Sequence, residues 1–328
     1  MVKVILNTVL GIILIFIWLK FVNIQDILST IKEANVAFLI PAFIFMFLSS
    51  FLRSWRLKLF LSTQKKISLM DLTYLNGVAM MLNFFIPIRA GELAKGVYLN
   101  TNYKLDLSKS IIWVFLDRFV DFLVVLSLSV VLFFIVPSSL PVNFVIVLAL
   151  IFVFGIITAY FIAYQQNLAK KLAIFFRHFL IFNIIKIYFD RFFNFCLQSF
   201  GILKRPPQVL LKLVLLTVLA YGADGAIWYF MFASLGQVQP YLKMYLGQML
   251  SALTYLIPAA PGYVGSAEAS GLLIFTGAFG MDANLASSMI VLFHICAAIF
   301  ILFYGLISVY FLKIDLGFIL KKAFKKVK

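Results

Sequence analysis

Apolar residues fall in runs of about twenty, the length an α-helix needs to cross a hydrocarbon core of roughly 30 Å at about 1.5 Å per residue. Six runs reach that length: Val4 to Val22, Val36 to Trp55, Ile111 to Val136, Val142 to Tyr164, Val209 to Phe232 and Leu285 to Leu312. The first follows Lys3 and lacks an A-x-A-like cleavage site, so it reads as a retained anchor. Two further apolar stretches, Leu72 to Leu99 and Leu242 to Phe275, are broken at Ile86-Pro87-Ile88-Arg89-Ala90-Gly91 and at Pro258-Ala259-Ala260-Pro261-Gly262. Their arms are short for a crossing, and both read as helical hairpins that enter the membrane and turn back. The expected fold is an all-α polytopic membrane domain over residues 1–328. It divides into a first half, 1–164, with the hairpin 72–99; a connector, 165–208; and a second half, 209–328, with the hairpin 242–275 and a basic tail.

Lys and Arg number 28 against 12 Asp and Glu, a net charge of +16. In a soluble chain that excess would raise nucleic acid as a partner, and position decides otherwise. With the N-terminus in the cytoplasm, that side receives Arg56, Lys58, Lys65, Lys66, Lys104 and Lys109, the basic connector and the tail from Lys313 to Lys328. The exterior receives Lys20, Lys32 and Lys243. This is the positive-inside distribution, so the charge reports topology and attraction to lipid headgroups, both termini are expected in the cytoplasm, and no nucleic-acid partner is expected. The connector keeps Leu168, Leu172, Phe175, Phe176 and Phe179 on one helical face, which fits either a helix along the cytoplasmic interface or a soluble helical hairpin. An apolar share of 64% with 12% charged residues excludes an ordinary soluble enzyme. Two cysteines and two histidines support neither a disulfide framework nor a His-based metal site, so no metal or other cofactor is expected. The absence of a GxxxxGK[ST] motif removes ATP as a direct energy source unless a partner supplies it. The tryptophans Trp18, Trp55, Trp113 and Trp228 fall near span ends, where interfacial anchors sit.

Shifting the chain on itself by 171 positions superposes Leu82-Asn83-Phe84-Phe85-Ile86-Pro87 on Leu253-Thr254-Tyr255-Leu256-Ile257-Pro258. Three full crossings separate the copies, so the hairpins should face opposite sides, an inverted repeat of the kind that builds midplane sites in transporters. Ionisable residues inside such a domain cost about 2.5 to 3.5 kcal/mol each on insertion scales and should be paired or line a cavity. Asp117, Arg118 and Asp121 lie inside a span; Arg118 reaches Asp121 at i,i+3, and the carboxylate left over points to Arg89 as its cation. In the first hairpin Arg89 sits in the turn, and Glu92 and Lys95 follow at i,i+3 spacing. The helix beginning near Gly91 offers free N–H groups to an anion such as a phosphate. In the second, Pro258 and Pro261 make the break, Gly262 and Gly265 permit close backbone approach, and Glu268 has no nearby cation in sequence, so it should be protonated or matched from elsewhere in the fold. Asp224, beside Gly222 and Gly225, should find its partner on a closely packed helix; Glu92, Glu268 and Asp224 are candidates for coupling to an ion gradient. His294, on an apolar run, reads as a hydrogen-bonded core residue rather than a proton carrier.

Three elements carry a family resemblance. Pro87-Ile88-Arg89-Ala90-Gly91-Glu92-Leu93-Ala94-Lys95 resembles the P-x-R-x-G-E-x-x-R/K signature of the lysylphosphatidylglycerol synthase transmembrane-region family, the flippase-like domain. Pro258-Ala259-Ala260-Pro261-Gly262-Tyr263-Val264-Gly265-Ser266-Ala267-Glu268 resembles its P-x-x-P-G-x-x-G-x-x-E signature, and Asp117-Arg118-Phe119-Val120-Asp121 its acidic-Arg element. Lys95 stands where Arg is common in the family, which weakens any bidentate contact there. The resemblance implies a membrane domain that moves lipids or lipid-linked precursors between leaflets, alone or fused to a soluble aminoacyl-transferase. The chain stops about sixteen residues after its last apolar run, so the stand-alone form is expected. The expectation is a non-enzymatic lipid translocase, flippase- or scramblase-like, in a prokaryotic plasma membrane. An anionic or polyprenyl-phosphate-linked headgroup would be held between the hairpins by Arg89, Gly91, Glu92, Lys95, Asp117, Arg118, Asp121, Pro258, Pro261, Gly262, Gly265 and Glu268. A membrane glycosyltransferase acting on a lipid carrier and a non-catalytic scaffold stay open as alternatives, as do a second copy of the chain or a lipid-modifying enzyme as partner.

Overall fold

The computed structural model describes residues 9, 13, 16, 19–21, 23–62, 65–86, 90–200, 204, 206–254 and 260–317, with 107–109, 111, 112, 115, 198 and 199 described by backbone alone. Helix α1 (Ile24–Lys32) and a 3-10 turn (Val36–Phe38) lead into α2 (Leu39–Leu61). Helices α3 (Leu69–Phe85) and α4 (Ala90–Tyr103) form one hairpin, followed by α5 (Leu107–Ile135) and α6 (Val142–Tyr164). Two shorter helices, α7 (Gln166–His178) and α8 (Asn183–Ser199), precede α9 (Pro207–Ser234). A second hairpin pairs α10 (Tyr241–Thr254) with α11 (Ser266–Leu272), which continues as a π-helical turn (Leu273–Ala278); α12 (Ala283–Leu312) closes the bundle.

The described residues are all-helical, and five segments are long and apolar enough to cross a membrane: Val36–Leu61, Leu116–Ile135, Val142–Tyr164, Pro207–Ser234 and Ala283–Leu312. This is an integral membrane protein. Five of the six expected runs are thereby accounted for, and the run from Val4 to Val22 lies largely outside the described residues. The apolar surface faces outward as well as inward: Phe134, Leu150, Phe154, Phe303 and Tyr310 are exposed, as they are where lipid replaces water as the solvent.

The most extensive helix pairings are α2 with α9 and α3 with α12. At one end of the bundle the Asn35 N–H donates to Ser234 O at 2.7 Å, and the Ser139 N–H to Ala278 O at 2.8 Å. At the opposite end Leu61, Ile67, Leu72, Leu99 and Leu105 pack with Leu312 and Ile314. The first hairpin opens at this second end, where the Tyr103 hydroxyl donates to the Asp71 carboxylate. The second opens at the Asn35 end, where the Lys243 ammonium lies 5.4 Å from the centre of the Phe279 ring. The closed ends of the two hairpins meet: Phe84 of α3 sits 6.4 Å, centroid to centroid, from Tyr263 and lies against Gly262.

Local chemistry explains the close approach within the first hairpin. Gly91, in the first turn of α4, packs so tightly on α3 that a Cβ there would stand 2.0 Å from the Ala79 carbonyl oxygen. Its N–H donates to Asn83 Oδ1 at 2.8 Å, which satisfies one of the free donors at the start of α4. The connector is two antiparallel helices rather than one amphipathic run, clipped by an Arg177–Asp190 ion pair at 2.9 Å. Phe175, Phe176, Phe179, Phe182 and Ile184 are exposed, and Ile181 in the turn is 84% exposed. Trp228 departs from the anchor expectation: it is buried, with its ring 5.0 Å from that of Phe275.

Candidate functional site

Polar residues recur on α2 and α9 at the spacing that keeps them on one helical face: Ser49, Arg53 and Arg56 on α2, and Thr217, Tyr221 and Asp224 on α9. The two stripes face each other, and α5 adds Asp117, Arg118 and Asp121. Arg56 is 0% exposed. Its Nε donates to Asp117 Oδ1 at 2.7 Å, and its Nη1 donates to Asp121 Oδ1 and, at 2.8 Å, to Thr217 Oγ1. Arg118 closes the figure from the other side, with Nη2 2.7 Å from Asp117 Oδ2 and Nη1 3.0 Å from Asp121 Oδ2. Two guanidinium groups thus bridge two carboxylates, each satisfying the charge that burial would otherwise leave exposed to a low dielectric.

A second set lies further along the same stripes. Arg53 Nη2 donates to Asp224 Oδ2 at 2.6 Å, Ser49 bridges the two side chains, and the Arg53 guanidinium lies 5.0 Å from the centre of the Tyr221 ring. Arg53 and Arg56 are one helical turn apart on α2, as Thr217 and Tyr221 are on α9, so the two sets adjoin along the same stripes. From the first hairpin, buried Lys95 pairs with Glu92 at 3.3 Å, on a helix that packs against α5 and its Arg118. Four cations, Arg53, Arg56, Arg118 and Lys95, meet four carboxylates, Asp117, Asp121, Asp224 and Glu92, so the described part of the network is charge-balanced. Its accessible edge is Arg118, whose side chain is 34% exposed while those of Asp117 and Asp121 are buried. Arg118 Nε and Arg56 Nη2 have no hydrogen-bond partner among the described residues. Both of those atoms are shielded from the surface, so an anion reaches Arg118 at its exposed Nη face, where phosphate or carboxylate oxygens compete with Asp117 and Asp121 for the guanidinium.

The second hairpin's closed end is built differently. Pro261 opens a 3-10 turn, Gly262 has φ 71° and Gly265 φ 80°, conformations that disfavour any side chain with a Cβ. Glu268 Oε2 accepts the Gly265 N–H at 2.7 Å, and Oε1 lies 2.6 Å from His294 Nδ1 on α12. His294 Nε2 lies 2.6 Å from the Gly262 carbonyl oxygen.

Several sequence expectations are thereby revised. Arg56 is no loop residue: α2 runs on to Leu61, and Arg56 supplies the cation that had been sought in Arg89. Arg89 and Pro258 lie outside the described residues. Glu268 finds its partner in His294, a ring that does keep the hydrogen-bonded role expected of it. Asp224 pairs with α2 through Arg53, whereas the neighbouring glycines admit α10: a Cβ on Gly225 would lie 3.0 Å from Tyr245 Cα. Gly91 does not offer its N–H to an anion as expected, because Asn83 Oδ1 accepts it; the other described site residues fall into two groups, an ionic network containing Glu92, Lys95, Asp117, Arg118, Asp121 and Asp224, and a hairpin-end group containing Pro261, Gly262, Gly265 and Glu268. Arg53, Arg56, Thr217 and Tyr221 were missed by motif reading, although the matched polar stripes on two otherwise apolar helices carry the signal.

The family model described as Lysylphosphatidylglycerol synthase TM region matches residues 4–305, which takes in both hairpins and the whole ionic network. No curated protein matches the chain. By a match over most of its length, the chain belongs to the lysylphosphatidylglycerol synthase transmembrane-region family.

Proposed function

We propose that the protein is a lipid translocase that moves a lipid with a phosphate-bearing headgroup between the leaflets of a prokaryotic plasma membrane, its termini in the cytoplasm. The observation that carries this reading is the buried ionic network with Arg118 at its accessible edge, because ionisable groups at this depth cost free energy that a purely apolar bundle would not incur. Two hairpins opening at opposite ends and touching at their closed ends support an inverted, re-entrant arrangement around a central site. Arg118 is assigned to the phosphate, Glu92 and Lys95 to steering the headgroup toward it, and the acyl or polyprenyl chains stay in the bilayer. Movement runs downhill or on an ion gradient, and no chemical step is assigned to any residue.

Leaflet exchange in proteoliposomes tests this, with fluorescent phosphatidylglycerol, phosphatidylcholine, lysyl-phosphatidylglycerol and a polyprenyl phosphate offered separately. The expected result is exchange of one headgroup class by the wild type and a loss of at least about tenfold in Arg118→Ala and Glu92→Gln, the loss of one charged hydrogen bond. Unchanged exchange in both folded variants would return the network to a scaffold that holds the bundle, a reading that the charge balance of its described residues favours.

The hairpin of α7 and α8 is assigned to the anionic cytoplasmic surface, its exposed Phe and Ile side chains in the acyl region and Lys170, Lys171, Lys186 and Arg191 toward phosphates. A tryptophan in place of Ile181 should be quenched by lipids brominated on their acyl chains. Quenching by aqueous iodide alone would make the hairpin a soluble appendage.

A further inference from the structure

The closed end of the second hairpin is held to α12 by two side chains. Glu268 spans the turn with one oxygen on the Gly265 N–H and the other on His294 Nδ1, and His294 reaches back through Nε2 to the Gly262 carbonyl. Both ring nitrogens therefore face oxygen atoms. A carbonyl oxygen only accepts, so Nε2 must carry a hydrogen. The 2.6 Å approach of Nδ1 to a carboxylate oxygen then needs a second proton between them, on the ring or on Glu268. With both protons present the pair is neutral overall. Without the shared proton, a nitrogen lone pair faces a carboxylate lone pair, and an uncompensated negative charge sits in a buried position.

We propose that Glu268 and His294 form a proton-binding site whose occupancy latches the closed end of the second hairpin onto α12 and against the first hairpin. The turn it clamps is one that needs clamping: Gly262, Tyr263 and Gly265 all have φ in the left-handed region, 71°, 59° and 80°, and the turn lies directly against Phe84. The Phe84 ring stands edge-on to the His294 ring at 6.3 Å, so releasing the histidine alters the contact between the hairpins as well. Among the described residues the titratable surroundings are sparse. From α11 the group facing His294 is Glu268; α3 presents Phe84, and its own acid, Asp71, is held by Tyr103 at the far end of the bundle. On α1, Asp26 is bonded by Asn284, and on α9, Asp224 is taken by Arg53; on α2 that Arg53 is the paired cation. The π-helical turn, Leu273–Ala278, carries no ionisable side chain. In a translocase, this site links movement of the second hairpin to movement of a proton, and the structural test below reads the latch whatever the transported lipid.

The test is the distance between spin labels on Phe85→Cys and Val264→Cys, both exposed positions at the two closed ends, by pulsed electron resonance in nanodiscs. The background carries Cys196→Ser and Cys296→Ala, both native cysteines being buried. Between about pH 5 and pH 10 the wild type should pass from one short distance to a mixture with a longer one. The ratio of long to short should rise about tenfold per pH unit above the midpoint, as a single linked proton requires. Glu268→Gln, whose amide can donate to a neutral His294 without a titrating proton, should stay short at every pH. His294→Phe should be long at every pH. A wild-type distribution that does not change with pH, or a change that persists unaltered in Glu268→Gln, overturns the proposal. Should His294→Phe fold poorly, the wild-type and Glu268→Gln profiles decide it alone.

Discussion

Replacing Arg56 by alanine is expected to lower the unfolding free energy by about 3–5 kcal/mol, the range for removing one partner of a buried ion pair. The side chain is fully buried and holds Asp117, Asp121 and Thr217 at once. Its loss leaves two carboxylates to share Arg118, the one guanidinium in the set that is partly exposed. The informative comparison is the double variant Arg56→Met with Asp121→Leu. It removes one cation and one anion together, leaves Arg118 paired with Asp117, and refills the volume with apolar atoms, so it should be more stable than Arg56→Ala alone. Denaturation in a mild detergent, followed by fluorescence, orders the three proteins. If Arg56→Ala unfolds within about 1 kcal/mol of the wild type, water reaches the network and the carboxylates are solvated.

Gly91→Ala should break the first hairpin. The added methyl would stand 2.0 Å from the Ala79 backbone oxygen, and a backbone atom cannot swing aside as the tip of a long side chain can. Helices α3 and α4 would have to separate, losing the Asn83 bond to the Gly91 N–H and shifting Glu92 and Lys95 away from Arg118. Overpacking costs typically 1–3 kcal/mol, and a clash with backbone belongs at about 3 kcal/mol or above. Gly277→Ala is the matched control, because nothing lies within 4 Å of a Cβ built there. The first variant should lose both stability and lipid exchange, and the second neither. A Gly91→Ala protein as stable as wild type would mean that α4 slides along α3 at little cost.

Hydropathy made the crossings legible because each is a local property of about twenty consecutive side chains. Val142 to Tyr164 is apolar on every side, and its helix ends where the run ends. Pro and Gly marked the hairpin breaks for the same reason, since their backbone effects act within a turn or two. Pairing was not local. The sequence leaves one carboxylate of the Asp117–Asp121 pair to Arg89, whereas the cation is Arg56, which a charge count blind to helix ends places among the loop cations. Glu268 and His294 are 26 positions apart, on different helices, so only the turn back into the bundle brings them together. Arg53 with Asp224 is a case between these: the need for a partner followed from burial, and its identity required the packing of α2 on α9.

Among the described residues of the network cations and carboxylates are equal in number, and in the proposed translocase that equality sets a ceiling on how strongly the network can hold an anion. A phosphate that takes Arg118 must displace an aspartate oxygen already 2.7 Å away, so its free energy of capture is the difference between two similar contacts. A receptor built this way retains its ligand poorly. For a carrier the same arithmetic is an advantage, because a cargo that never falls into a deep well is released on the far side without a large barrier, and the aspartate that was displaced is on hand to push it out.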